Sequence, residues 1–268
     1  MTPLWAVAVS DWTLALRAAG RAETTISTRT EHLRWLAKTY PDRDPWSLTS
    51  DDLTAWLGSR VWARETRRGV RVSLRGFYGW GVGTGRTSYS PAAALPVVQP
   101  ARPNPRPTPD EAYRLALAAA GGRERLILRL AAECGLRRAE VAQVHSRDLV
   151  DDLDGVTLRV HGKGQRERMV PLPPVLAAEL RALPTGHAFP GDVDGHLSPR
   201  WVGKLVTRLL PDGWTMHTLR HRAATRWYGV NQDLLTVGEL LGHASPVTTR
   251  VYVRLPDGAK RALVQAAA

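Results

Sequence analysis

The chain of 268 residues has one cysteine, Cys134. A single thiol excludes an internal disulfide framework and any multi-cysteine zinc or iron–sulfur site, and it points to a reducing compartment. Lysine is nearly as scarce: only Lys38, Lys163, Lys204 and Lys260 occur, so 33 of the 37 basic residues are arginine. Long apolar runs are missing too. None approaches the roughly 18 residues of a spanning helix. The short N-terminal run Leu4 to Val9 has no basic residue before it, so no secretory signal is expected. A cytoplasmic, soluble protein is the expectation from these absences.

What is present is a core and a charge. Hydrophobic residues make up 43% of the chain, enough to bury a real interior. The 37 basic residues against 25 acidic ones leave a net charge of +12, which suits a polyanionic partner. The arginine skew reads two ways, as forked phosphate recognition or as the codon bias of a GC-rich genome.

Pro91, Pro96, Pro100, Pro103, Pro105, Pro107 and Pro109 make a stiff stretch that is poor in hydrogen-bond donors. The expected organisation is therefore a helical domain over 1–90, a Pro-rich interdomain linker over 91–108, and a second domain over 109–268 ending in a short helical tail. About four helices are expected in the first domain, with helical spacing from Thr25 to Tyr40 and a helix start at Ser50/Asp51. In the second, helices over 110–120 and 124–134 are interrupted at Gly135 before a short helix through Val144. The period then changes to two at Val156, Leu158 and Val160. Gly162-Lys163-Gly164 turns the chain and Arg168 to Leu172 returns, which predicts a hairpin. Helices resume from Leu176, Pro199, His217, Asp233, Pro246 and Pro256.

Arg60, Arg64, Arg67, Arg68, Arg71 and Arg75 fall within one arc when wound on a helix, with Trp62, Val70, Phe77 and Trp80 opposite. Only Glu65 interrupts this run. Such stripes are often plain solvated faces. The functional reading is a helix laid on nucleic acid, its guanidiniums on phosphates or guanine edges.

Four segments of the second domain carry chemistry. Arg137 follows a glycine break, with Glu140 three residues on and able to brace it. Lys163 stands at the hairpin tip. His217 and Arg220 share a helical face, and Leu241-Gly242-His243 presents a second histidine nine residues before Tyr252. Two arginines, a mobile lysine, two histidines and a tyrosine, without a carboxylate cluster or a Cys/His set, suit a metal-free phosphoryl transfer. That reaction needs positive charge on the non-bridging oxygens, a nucleophile, a base and an acid for the leaving oxygen.

In their order from Gly135 to Tyr252 these segments resemble the motifs of the tyrosine recombinases, the phage-integrase type of site-specific recombinases. Leu74-Arg75-Gly76-Phe77-Tyr78 and Ser90-Pro91-Ala92 resemble, more weakly, the end of that family's core-binding domain. The resemblance implies a mainly α fold: a helical, SAM-like core-binding domain and an α-rich catalytic domain with a small antiparallel β-hairpin or sheet. It implies that Tyr252 attacks a scissile phosphate to form a 3′-phosphotyrosyl link. Arg137 and Arg220 would hold the non-bridging oxygens, Lys163 would protonate the departing 5′-oxygen, His217 would assist as base, and His243 would hydrogen-bond the phosphate. A phenol with a reference pKa of about 10 needs nearby cations or a base to act near neutral pH, whereas a lysine at about 10.4 is a ready proton donor.

No metal or other cofactor is implied. The implied partner is double-stranded DNA at attachment or core-type sites, bound by a homotetramer that is monomeric when free. Strands would exchange through a Holliday junction, with a directionality factor or host DNA-bending protein as further partners and no membrane. The resemblance places the protein on the nucleoid of a bacterial host. Phage or prophage integration or excision is the expected role. A Xer-type dimer resolvase, a transposon recombinase, a type IB topoisomerase-like enzyme and an inactive DNA-binding regulator are the alternatives. No arm-binding domain is expected before residue 10. His221 is read as packing or support, Arg138 as the register alternative to Arg137. His145, His161, His187 and His196 match no catalytic position.

Overall fold

A computed structural model describes residues 2–100, 104–162, 166–211, 213–243, 246–253 and 264–265. The chain divides into two compact units, Met1–Arg102 and Pro103–Ala268. The fold is mainly helical, with one small antiparallel sheet in the second unit. Among the described residues no helix is long and apolar enough to cross a membrane.

In the first unit, α1 (Pro3–Ala18), α2 (Glu23–Thr39), α3 (Ser50–Gly58) and α4 (Arg64–Gly83) surround a core rich in aromatic rings. Proline opens α1, where its missing N–H costs nothing. A capping box opens α3: Thr49 accepts from the Asp52 amide, and Asp52 accepts in return from the Thr49 amide at 2.8 Å. Trp5, Trp12, Trp56, Phe77 and Tyr78 are almost wholly buried, and Trp46 stacks on Phe77 with ring centres 4.8 Å apart. The segment after Pro91 belongs to this packing, since Ala92 and Leu95 join the core. The arginine stripe needs one correction. Helix α4 starts at Arg64, so Arg60 and Trp62 precede it, and only the five later arginines share its face.

In the second unit, α5 (Asp110–Ala119), α6 (Gly122–Ala132), α7 (Arg138–Ala142), α8 (Pro174–Arg181), α9 (Pro199–Leu209) and α10 (Met216–Asn231) pack around Ile127, Leu128, Leu130, Leu136, Val206 and Leu219. The sheet has the order β1 (Leu149–Asp152), β2 (Gly155–His161), β3 (Glu167–Pro171). Leu158 faces Val170 across the hairpin and Leu149 on its other side, so the core-facing positions align. Strand β1 adds an edge to the expected hairpin. Strand β4 (Pro190–Val193) follows α8. Helices α11 (Leu234–Leu241) and α12 (Pro246–Arg250) close the unit over a smaller apolar cluster of Ala224, Val237 and Leu241. The helix expected from Pro256 lies outside the described residues, as does all of the expected tail except Val264 and Gln265.

Candidate active site

Gly135 sets the first piece of the site. Its φ of 63° is open to glycine at little cost, and a Cβ there would lie 2.8 Å from the Trp227 ring. The turn releases the chain into α7 with Arg137 at the N-cap. The Arg137 amide donates to Glu140 Oε2 at 2.8 Å and its Nη1 to Glu140 Oε1 at 2.7 Å, so the glutamate braces both backbone and guanidinium. Glu140 is 5% exposed and also receives a bidentate pair from Arg168, at 2.9 and 2.8 Å. Burial opposes ionisation of this carboxyl, but Arg168 and then Arg137 outweigh it and hold the pKa down at about 2.

Helix α10 brings the second piece. Thr215 caps it, and His217 and Arg220 follow in its first turn. Arg220 is 1% exposed: Nη1 donates to Gly135 O at 2.5 Å and Nη2 to Leu241 O at 2.6 Å. Its Nη2 also meets His243 Nε2 at 3.2 Å. The buried Nε–H has no partner among the described residues, an uncommon state for a buried donor. Burial, with Arg137 beside it, lowers the Arg220 pKa from its ordinary value, and the guanidinium stays cationic at neutral pH.

The third piece is the end of α11. Asp233 caps its start by accepting from the Leu235 and Thr236 amides. Gly242 ends it in the left-handed conformation, φ 66°, and the His243 amide donates to Gly238 O at 2.9 Å. A guanidinium only donates, so His243 Nε2 is the acceptor, and its neutral ring keeps its proton on Nδ1, 3.2 Å from Thr249 Oγ1. Burial, then Arg220 and Arg137, push the His243 imidazole down to about 4, and the same causes lower His217.

Tyr252 sits among these groups. Its ring lies 4.6 Å from His221, 4.7 Å from His243 and 5.3 Å from His217, centre to centre, with the Arg220 guanidinium carbon 5.5 Å from it. An open cavity of about 980 Å³ lies alongside, lined by Arg137, Arg138, Lys204, Arg208, His217 and Arg220 among others. No acidic residue lines it among the described residues. The arrangement is a cationic hollow whose His217 and Arg220 also pack on a phenol, suited to a phosphate group.

The structure thus brings together Arg137, His217, Arg220, His243 and Tyr252. Lys163 lies outside the described residues, between Gly162 and Arg166, whose backbones are joined by a 2.7 Å hydrogen bond. Arg138 also faces the cavity, its stem 2.9 Å from where a Cβ at Gly203 would stand. His145, His187 and His196 stack edge to face with one another, 4.8 and 5.1 Å apart in ring pairs. Among the described residues no group of three or more His, Cys, Asp or Glu is placed to hold a metal ion.

Two features escaped the sequence reading. Arg168 ties β3 to Glu140 and, through Nε to Leu240 O at 2.7 Å, to the end of α11. Its signal was in the strand pattern: it shares a face with buried Val170, where an arginine needs a carboxylate. The other is the Arg106 amide, which meets His221 across 115 positions of sequence.

In the first unit the stripe is largely engaged. Arg67 donates to Leu57 O and Arg60 O, Arg71 to Leu95 O, and Arg75 to Ala93 O. Arg60 reaches Thr39 Oγ1. Arg64 and Arg68 are exposed, with Arg68 also pairing to Glu65 at 3.1 Å.

Residues 108–258 match the Phage integrase family. The tyrosine recombinase XerC of Xanthomonas axonopodis pv. citri (strain 306) is 35% identical, over 72% of this chain and 71% of that protein. The tyrosine recombinase XerC of Methylobacterium sp. (strain 4-46) is 33% identical, over 97% and 92%. A solved lambda integrase tetramer bound to a Holliday junction shares the fold, with a TM-score of 0.72 at 20% identity, covering 90% of this chain and 77% of that one.

Proposed function

This chain belongs to the phage integrase family, the tyrosine recombinases, and from that premise we propose that it cuts and rejoins duplex DNA at specific sites through Tyr252. The observation that carries the reading is the phenol ring packed against His217 and His243 beside Arg220, whose buried Nε–H lacks a partner among the described residues. A phosphate oxygen supplies that partner. Arg220 and Arg137 then hold the two non-bridging oxygens and stabilise the charge that builds on them. The Tyr252 oxygen gives up its proton to solvent and bonds to phosphorus as the bond to the 5′-oxygen breaks, leaving a 3′-phosphotyrosyl link and a free 5′-hydroxyl. Lys163 is assigned the proton that the departing oxygen takes. His217 and His243 complete the set around the phosphate. The link conserves the energy of the phosphodiester, so attack by a 5′-hydroxyl reverses the step without a nucleotide cofactor.

Duplex DNA is the partner, gripped in part by the exposed guanidiniums of Arg64 and Arg68, and strand exchange in a homotetramer through a Holliday junction is the assembly this reading requires. For the biological role, the names of the curated relatives favour the Xer type over phage integration. The test is incubation without metal on nicked duplexes carrying candidate sites: the wild-type protein forms a covalent complex and Tyr252→Phe forms none. A complex formed by Tyr252→Phe overturns the assignment.

A further inference from the structure

His221 is 4% exposed, and both of its ring nitrogens are engaged. Nδ1 accepts from the Arg106 amide at 3.2 Å, and Nε2 lies 3.0 Å from His217 Nε2. A backbone amide only donates, so His221 Nδ1 carries no proton. The neutral ring must carry its proton on Nε2, which makes His221 the donor and His217 Nε2 the acceptor. A neutral His217 then keeps its own proton on Nδ1. We infer that His221 is a positioning residue: held by the Arg106 amide, it fixes His217 as the Nδ1–H tautomer, so that His217 offers the phosphate a hydrogen-bond donor.

The local sequence makes that amide a fixed point. Pro105 and Pro107 have no N–H, so Arg106 supplies the only amide donor of the three residues. Two contacts hold the segment to the start of α10. The Thr108 amide donates to Thr218 O at 3.1 Å, and the Thr108 and Thr218 hydroxyls meet at 2.8 Å. The Arg106 guanidinium lies over Trp214, 5.2 Å from the ring centre.

The surroundings keep both rings neutral. Arg220 and Arg137 are the charged groups that bear on His217, and Arg220 also bears on His221; Tyr252 packs on both rings and His243 on Tyr252. Burial, then His217 and Arg220, push His221 down to about 4. An added proton on either ring would also set two N–H groups against each other between the facing Nε2 atoms, or against the Arg106 amide. His217 lines the cavity with Arg137 and Arg220. The role of base expected for His217 needs Nε2, which already accepts from His221. The Nδ1–H is the atom that meets the substrate.

The tautomer follows from these contacts alone; its meaning for the phosphate rests on the Tyr252 reading. Nitrogen-15 NMR of the histidine rings in the free full-length protein at pH 7.5 separates the two questions. The wild type should show His217 protonated on Nδ1 and His221 on Nε2. His221→Gln, whose amide can accept from Arg106 and donate to His217, should retain the His217 tautomer and the wild-type pH profile of covalent-complex formation. His221→Phe should release the lock: His217 gains the Nε2–H form, its titration moves up toward 6.5, and cleavage falls by about tenfold to a hundredfold with a new pH-dependent limb. A wild-type His217 protonated on Nε2 overturns the inference without any variant. So does a His221→Phe protein with an unchanged tautomer and pH profile. A covalent complex formed by Tyr252→Phe overturns the nucleophile and leaves the tautomer result standing.

Discussion

Arg220 joins three otherwise separate pieces of chain, because its two terminal nitrogens hold the carbonyls of Gly135 and Leu241 while its ring neighbour is Tyr252. Lysine has no planar fork and cannot serve both carbonyls in one geometry. Arg220→Lys should therefore lose stability as well as cleavage, by about 1–3 kcal/mol for a buried acceptor left unpaired, read as a lower urea midpoint. The titrating side chains give a pH signature with a definite sign. His221 and His243 titrate near 4 when folded against an ordinary 6.5, so their contribution is full above 6.5 and is lost as pH falls toward 4. Glu140 titrates near 2 against an ordinary 4.5, so its contribution persists down to 4.5 and is lost only below that. Calorimetry across pH should show the melting temperature falling first between 6.5 and 4, a stage that shrinks in a His221→Gln/His243→Gln variant. A second fall below 4.5, shared with other carboxylates held down by their partners, should be smaller in a Glu140→Gln variant that still folds.

At the scale of elements, the site depends on three chain ends being held at one place: the N-terminus of α7, the first turn of α10 and the C-terminus of α11. Arg168 on β3 reaches two of them, Glu140 in α7 and Leu240 O in α11. Arg168→Ala leaves a buried carboxylate short of its bidentate partner, and a loss of about 3–5 kcal/mol is expected, measured by denaturant unfolding. Gly135→Ala should cost about 1–2 kcal/mol from its left-handed φ alone, before the contact with Trp227. Helices and hairpin were legible because their apolar residues repeat at 3.6 and at 2. Strand β1 was not, since Leu149-Val150-Asp151-Asp152 is four residues without alternation. The start of α4 was misplaced for a physical reason as well: Ala63 at its N-cap makes no side-chain cap, so nothing in the sequence separates Arg60 from the helix. That Arg137, His217, Arg220, His243 and Tyr252 gather in one place was legible from their residue types and order. Arg168 and the Arg106 amide were not, because their partners lie 28 and 115 residues away and are set only by the fold.

Over the whole molecule, the charge of +12 divides into groups with different duties. In the first unit, Arg67, Arg71 and Arg75 donate to backbone carbonyls and stitch α4 to neighbouring segments. Arg71→Ala should therefore lower the stability of that unit by roughly 0.5–1.5 kcal/mol per hydrogen bond lost, seen as an earlier melting transition. Arg64→Ala and Arg68→Ala should instead leave stability nearly unchanged and reduce the log–log salt dependence of DNA binding by about 0.9 per phosphate contact removed. In the second unit, Arg137 and Arg220 stand at the cavity beside Tyr252. The measurement that tests the account most directly is the identity of the bond between protein and DNA. The covalent complex trapped on a nicked duplex is digested with protease, and the DNA-bearing peptide is mapped by mass spectrometry. Tyr252 should carry a 3′-phosphate, with a free 5′-hydroxyl on the released strand. DNA on any other residue, or a link through a 5′-phosphate, would contradict it.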